Sequence, residues 1–159
     1  MSHFEVLRYL APVSAAIWFL LAAFQAYRDR VRTWTEKFFF FACMFAGLYA
    51  FSDFLFFRAD TAEHAALTAK LSLTSVTITT LLLLLFTLVY VGRMRRSYWL
   101  LASVSGALVL IEWTFMLVEV RRPVPDELFL PIFDPLAFLI LLVYVVAYGS
   151  LGIWNLYRV

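Results

Sequence analysis

The sequence predicts an all-α fold, a polytopic membrane helix bundle with five transmembrane helices, and three observations lead there. Hydrophobic residues fill 64% of the 159 positions and charged residues only 15%, whereas a soluble domain is about half apolar and about a quarter charged. The apolar residues run in unbroken blocks, and a membrane-spanning helix needs about 20 of them. Aromatic residues, 19% of the chain, collect near the block ends at Tyr9, Tyr27, Trp34, Tyr90, Tyr98, Trp99, Trp154 and Tyr157, where interfacial anchors belong. The runs are too long and too continuous for the strands of a transmembrane barrel.

The five spans fall at 9–27, 37–57, 66–92, 97–119 and 135–157, within a single membrane domain over 1–159. Span one has one basic residue, Arg8, just before it, three arginines after it and no A-x-A site, the pattern of a retained anchor rather than a cleaved signal peptide. Span two aligns Ala42, Ala46, Ala50 and Asp53 on one face. Span three outruns a hydrocarbon core of about 30 Å and is expected to tilt or protrude; Thr68, Ser72, Ser75 and Thr79 form its polar stripe. At 100° per residue, Ser105, Glu112 and Glu119 share a face of span four. Four of the five prolines (Pro123, Pro125, Pro131 and Pro135) lie between spans four and five. Proline bars regular helix there, so the segment "LFLPIF" is expected to lie along the outer interface as a short, stiff cap. Asp134 followed by Pro135 reads as an N-cap and first helical position for span five.

Charge orients the spans. Arg28, Arg30, Arg32, Lys37, Arg93, Arg95, Arg96 and Arg158 fall on one side. On the other, Arg8, Arg58, Lys70, Arg121 and Arg122 are diluted by Glu5, Asp60, Glu63, Asp126 and Glu127. The positive-inside rule then puts the N-terminus outside and the C-terminus in the cytoplasm. A net charge of +2 offers no footprint for nucleic acid. The single cysteine, Cys43, supports neither a disulfide framework nor a thiolate metal cluster.

Glu112 asks for an explanation, since an acidic side chain at a helix centre costs about 3 kcal/mol on insertion scales and normally faces a partner in the bundle interior. A rise of about 1.5 Å per residue puts it about 10–12 Å below the outer interface. Ser72 and Tyr144 lie at that level, and Asp53 is shallower. As a neutral acid Glu112 would donate a hydrogen bond, with Tyr144, Ser72 or Ser75 as acceptors. The candidate ligand-binding residues are therefore Glu112, Tyr144, Ser72, Ser75 and Asp53, around a polar cavity opening outward. A simpler reading stands beside this one: small-residue seams and Ser/Thr stripes are common helix-packing devices, and Asp53 and Glu119 are placed to reach headgroups. His3 and His64 lack metal-ligand spacing. With no G-x-S-x-G, H-E-x-x-H, C-x-x-C, Walker or G-x-G-x-x-G motif, neither an enzyme nor a metal or other cofactor is expected.

The stretch "FFACMFAGLYAFSDFLFFRADTAEHAALTAKLSLTSVTITTLLLLLFTLVYVGRMRR", with "GLYAFSDFLFF", "AEHAALTAKL" and "FTLVYVGR" inside it and "VYVVAYGSLGIWNLYRV" further on, resembles the N-terminal seven-helix membrane region of prokaryotic sensor histidine kinases and related signalling proteins. The resemblance covers about residues 15–159, with five spans instead of seven. It implies a sensory input module in a prokaryotic cell membrane, multi-pass, passing a change of state to a cytoplasmic signalling partner or output domain. The residues around Glu112, and not the resemblance, supply the expectation that the outward-facing pocket takes a small ligand, lipid or proton. Two other readings compete: an accessory or assembly subunit of a larger membrane complex, in which a homodimer or other subunits cover the helices, and a small transporter, which the absence of a broken helix or inverted repeat disfavours.

Overall fold

The computed structural model describes residues 3–29, 33–92, 98–122 and 129–157. Arg30, Arg32, Arg93, Arg95, Arg96 and Arg158, which carry most of the orienting charge, lie outside the described residues, as do Pro123, Pro125, Asp126 and Glu127. The elements are α1 (His3–Asp29), α2 (Trp34–Phe56), α3 (Ala62–Tyr90), α4 (Tyr98–Ile111), a π-helical turn (Glu112–Met116), β1 (Leu117–Arg121), β2 (Leu130–Phe133) and α5 (Pro135–Tyr157). Five helical segments are long and apolar enough to cross a membrane: Tyr9–Tyr27, Trp34–Phe56, Ala62–Tyr90, Tyr98–Met116 and Pro135–Tyr157. The protein is a multi-pass helical membrane protein.

Local chemistry sets where the helices begin. Thr33 and Glu36 close a capping box: the Glu36 amide donates to Thr33 Oγ1 at 3.3 Å, and the Thr33 amide donates to Glu36 Oε2 at 2.7 Å. Two of the four orphan amides of the first turn are thereby satisfied, and α2 starts three residues before its apolar run. Thr61 caps α3 through the His64 amide at 3.3 Å, which brings the polar "AEH" turn into that helix. At α5 the expected cap is present: Asp134 Oδ1 accepts from the Ala137 amide at 2.8 Å, directly before Pro135.

The helices form a row. α2 packs between α1 and α3, while α4 and α5 pack against α3 on its other side. Ala42, Cys43, Ala46, Gly47 and Ala50 bury the small-residue side of α2, letting backbones approach closely as membrane interfaces require. Gly47 is the tightest point, because a Cβ there would stand 2.7 Å from the Phe19 ring of α1. Beyond α3 a second core forms from Leu84, Leu108, Met116, Ala137, Leu141, Tyr144 and Tyr148.

Span four departs from expectation. Its α-helix stops at Ile111, continues as the π-helical turn and becomes strand β1, so the helix does not reach 119. Thr114 Oγ1 donates back to the Leu110 carbonyl at 2.7 Å, a bond that bends helices. The sequence that follows, Leu117–Arg121, carries β-branched Val118 and Val120, which suit a pleated strand. β1 pairs antiparallel with β2 in the register Leu117↔Phe133, Glu119↔Ile132, Val120↔Pro131 and Arg121↔Leu130, with a bulge between Leu117 and Glu119. The described part of the segment "LFLPIF" is regular: Leu130–Phe133 is a hairpin strand. Pro131 is tolerated because both strands of a two-stranded ribbon are edges. Glu119 leaves the face of Glu112 and sits exposed on β1.

Candidate functional site

One face of α3, at spacing i, i+4, i+7, holds the π-helical turn by three hydrogen bonds. Lys70 Nζ donates to the Trp113 carbonyl at 2.9 Å. The Trp113 indole Nε1 donates to Thr74 Oγ1 at 2.8 Å, and the Lys70 ammonium also lies 5.7 Å from the Trp113 ring centroid. One turn further along α3, the Thr77 hydroxyl donates to Glu112 Oε1. A π-helical turn leaves backbone carbonyls out of the α-helical ladder; here a lysine ammonium takes one of them.

Glu112 and Thr77 are both fully buried, at 0% exposure. The Thr74 hydroxyl lies beside the same carboxyl, yet Glu112 Oε2 has no hydrogen-bond partner of normal geometry among the described residues. From the far side, Tyr144 of α5 reaches in: its hydroxyl donates to the Thr77 carbonyl at 3.1 Å and stands 2.8 Å from Ser105 Oγ of α4. Ser105 also lies 2.9 Å from the Leu101 carbonyl, with Tyr148 OH 3.4 Å from that same oxygen. The Tyr144 and Tyr148 rings are in contact, centroids 4.2 Å apart.

Proton counting shows what this arrangement can do. Tyr144 and Ser105 each own one hydroxyl hydrogen. In one arrangement Ser105 donates to Tyr144, which donates to the Thr77 carbonyl; in the other Tyr144 donates to Ser105, which donates to the Leu101 carbonyl. The heavy atoms fit both, so the chain can reverse without repacking. Thr77 stands between the two groups: its hydroxyl donates to Glu112 and its backbone carbonyl accepts from Tyr144.

The predicted site residues separate into two places. Glu112 and Tyr144 belong together, joined through Thr77 and not directly. Ser72 and Asp53 form a different pair between α2 and α3, with Ser72 Oγ donating to Asp53 Oδ1 at 2.7 Å and Tyr49 as a second hydrogen-bond partner of Asp53. Ser75 donates to its own helix, to the Leu71 carbonyl at 2.7 Å, and is a buried packing residue. Neither serine is hydrogen-bonded to Glu112. Glu112 thus accepts from the Thr77 hydroxyl instead of donating to the expected acceptors, because the polar stripe of α3 facing α2 lies on a different side of the helix from the 70/74/77 stripe facing the π-helical turn. Sequence reasoning missed Lys70, Thr74, Thr77 and Trp113. The 70/74/77 spacing was the available signal, masked by a threonine- and serine-rich helix with polar residues on several faces.

At the hairpin, Arg121 Nε lies 2.8 Å from Glu119 Oε2. That hydrogen bond holds the Glu119 carboxyl below its ordinary range. Comparison with protein-family models, with curated proteins and with solved structures returns no match to this chain.

Proposed function

We propose that the chain is a membrane-embedded sensory module in which an outward-facing polar pocket around Glu112 is closed by Trp113. The observation that carries this reading is the position of Glu112: a fully buried acid at the first residue of a π-helical turn, bonded to α3 and linked through Thr77 to α5. π-helical turns concentrate at functional sites, and intramembrane acids face polar interiors. A small ligand, lipid or proton arriving from the hairpin side would part Trp113 from Thr74 and Lys70. The change at Glu112 would reverse the Tyr144–Ser105 hydrogen bonds, and α5 would carry it to the other membrane face. The N-terminus is outside and the C-terminus cytoplasmic in this reading, in a prokaryotic cell membrane, with a cytoplasmic signalling partner or output domain as receiver.

The test places spin labels at Leu130 of β2 and Ile153 of α5 in a Cys43→Ser background, in lipid nanodiscs, and reads the distance distribution. Glu112→Ala and Thr77→Val are expected to shift or broaden it while Glu119→Gln leaves it in place. Distributions that superimpose for all three folded variants would sink the sensory reading.

The open row favours a second reading. α5 exposes Leu136, Leu139, Val143, Val146 and Ile153 along its length, a face that lipid or another subunit can cover. As an accessory subunit of a larger complex, the chain would copurify with stoichiometric partners in mild detergent, and the spin-label distances would respond to those partners instead of to Glu112.

A further inference from the structure

A cleft of ≈ 340 Å³ opens between α1 and the end of α2, lined by Tyr9, Pro12, Phe54 and Arg58. It is separate from the Glu112 cluster, and three features describe what it fits. The first is depth: one apolar span begins at Tyr9 and another ends at Phe56, so the cleft sits where hydrocarbon meets headgroups. The second is charge. The Arg58 guanidinium lies over the Phe54 ring, 4.8 Å from its centroid, and has no acidic partner among the described residues. Stacked in this way it keeps its fork of N–H donors for an anion, and that fork matches phosphate oxygens in pairs. The third is the wall: Leu10 and Val13 of α1 and Phe51 and Leu55 of α2 expose apolar side chains beside the lining residues. The volume exceeds the lower bound of about 300 Å³ for small-molecule sites.

We propose that this cleft binds an anionic phospholipid of the bilayer, its phosphate on Arg58, its glycerol region against Pro12 and Phe54, and its acyl chains along the apolar sides of α1 and α2. Tyr9 also lines the cleft, and its hydroxyl would be a further donor to the headgroup. The lipid would brace α1, the span with the smallest buried share, 11%. An uncharged or zwitterionic headgroup gains less from the Arg58 guanidinium, so the site prefers anionic lipid.

The experiment is native mass spectrometry of the full chain in mild detergent, titrated with phosphatidylglycerol and, separately, phosphatidylcholine of the same acyl chains. Wild type is expected to retain one phosphatidylglycerol in preference to phosphatidylcholine. Arg58→Gln should lower that retention by about fivefold or more and Arg58→Lys by less, since only the paired donors are lost. Phe54→Ala, which keeps the charge and removes the seat of the guanidinium, should fall between. Arg121→Gln, at an exposed arginine elsewhere, should match wild type. Equal retention of the two lipids, unchanged retention in Arg58→Gln, or an equal loss in Arg121→Gln would overturn the proposal. Displacement of the lipid by inorganic phosphate would overturn it too, by assigning Arg58 to free anions.

Discussion

Glu112 has one oxygen held by Thr77 and one without a hydrogen-bond partner of normal geometry among the described residues, and this asymmetry sets how substitutions behave. Glu112→Gln keeps the shape and an acceptor for Thr77, so its stability should stay within about 1 kcal/mol of wild type. Glu112→Ala opens a cavity and strands the Thr77 hydroxyl, for an expected loss of about 2–4 kcal/mol. Thr77→Val should cost about 1–3 kcal/mol because it leaves the buried carboxyl without its donor. The double variant Thr77→Val with Glu112→Leu should recover part of that loss, since removing both partners of a buried polar pair costs less than removing one. Unfolding titrations in mixed micelles would measure all four together with the single Glu112→Leu, and purely additive losses for the double variant would contradict the pairing. Glu119 behaves differently. Its lowered carboxyl range means that the Arg121 contact is present above the ordinary carboxylate range and is lost as pH falls through the lowered value. The pair is exposed, and Glu119→Gln should leave unfolding at neutral pH unchanged.

The π-helical turn between α4 and β1 is the element whose behaviour follows least from its own sequence. Its carbonyl at Trp113 is held by Lys70 and its indole by Thr74, both from α3. Trp113→Phe keeps the ring and deletes the N–H, so amide hydrogen exchange over 112–116 should accelerate while α3 stays protected. Unchanged exchange would mean that the indole bond does not hold the turn. The start of α5 offers a simpler case. Asp134→Ala removes the side-chain acceptor of the Ala137 amide and should lower stability by about 1 kcal/mol in the same titrations.

At the scale of the molecule, a row of helices buries less of each span than a closed bundle would, and α1 depends on α2 for its packing. The contact of Gly47 with the Phe19 ring is therefore the sensitive point. Gly47→Ala forces that ring to move, with an expected cost of about 1–3 kcal/mol, and cross-linking between α1 and α2 should weaken with it. A variant as stable and as readily cross-linked as wild type would show that the ring repacks freely. The proposed orientation makes its own prediction: in a Cys43→Ser background, Val118→Cys on β1 should react with a membrane-impermeant maleimide added to intact cells. Labelling only after the membrane is broken would reverse the orientation.

The five spans and the start of α5 were legible in the sequence because they rest on terms that each segment carries by itself: apolar length against bilayer thickness, and caps that bond within three residues. Span boundaries at Trp34 and Ala62 shifted by a few residues because polar capping turns are helical without being apolar. Glu112 was legible as an anomaly, since a carboxyl in an apolar run is costly in any packing. Its partners were not. A helix such as α3 carries hydroxyls on several faces, and only the packing of α4 and α5 decides that Thr77 meets Glu112 while Ser72 turns to Asp53. The same holds for the end of span four, where hydropathy continues smoothly to Glu119. The backbone leaves the α-helix at Ile111, where Lys70, Thr74 and Thr77 of α3 bond the π-helical turn and β2 pairs with the strand that follows. Sequence alone determined that the chain crosses the membrane and which buried acid needs an explanation; tertiary structure alone decided which groups satisfy it, because hydrogen-bond partners far apart in the chain are chosen by packing.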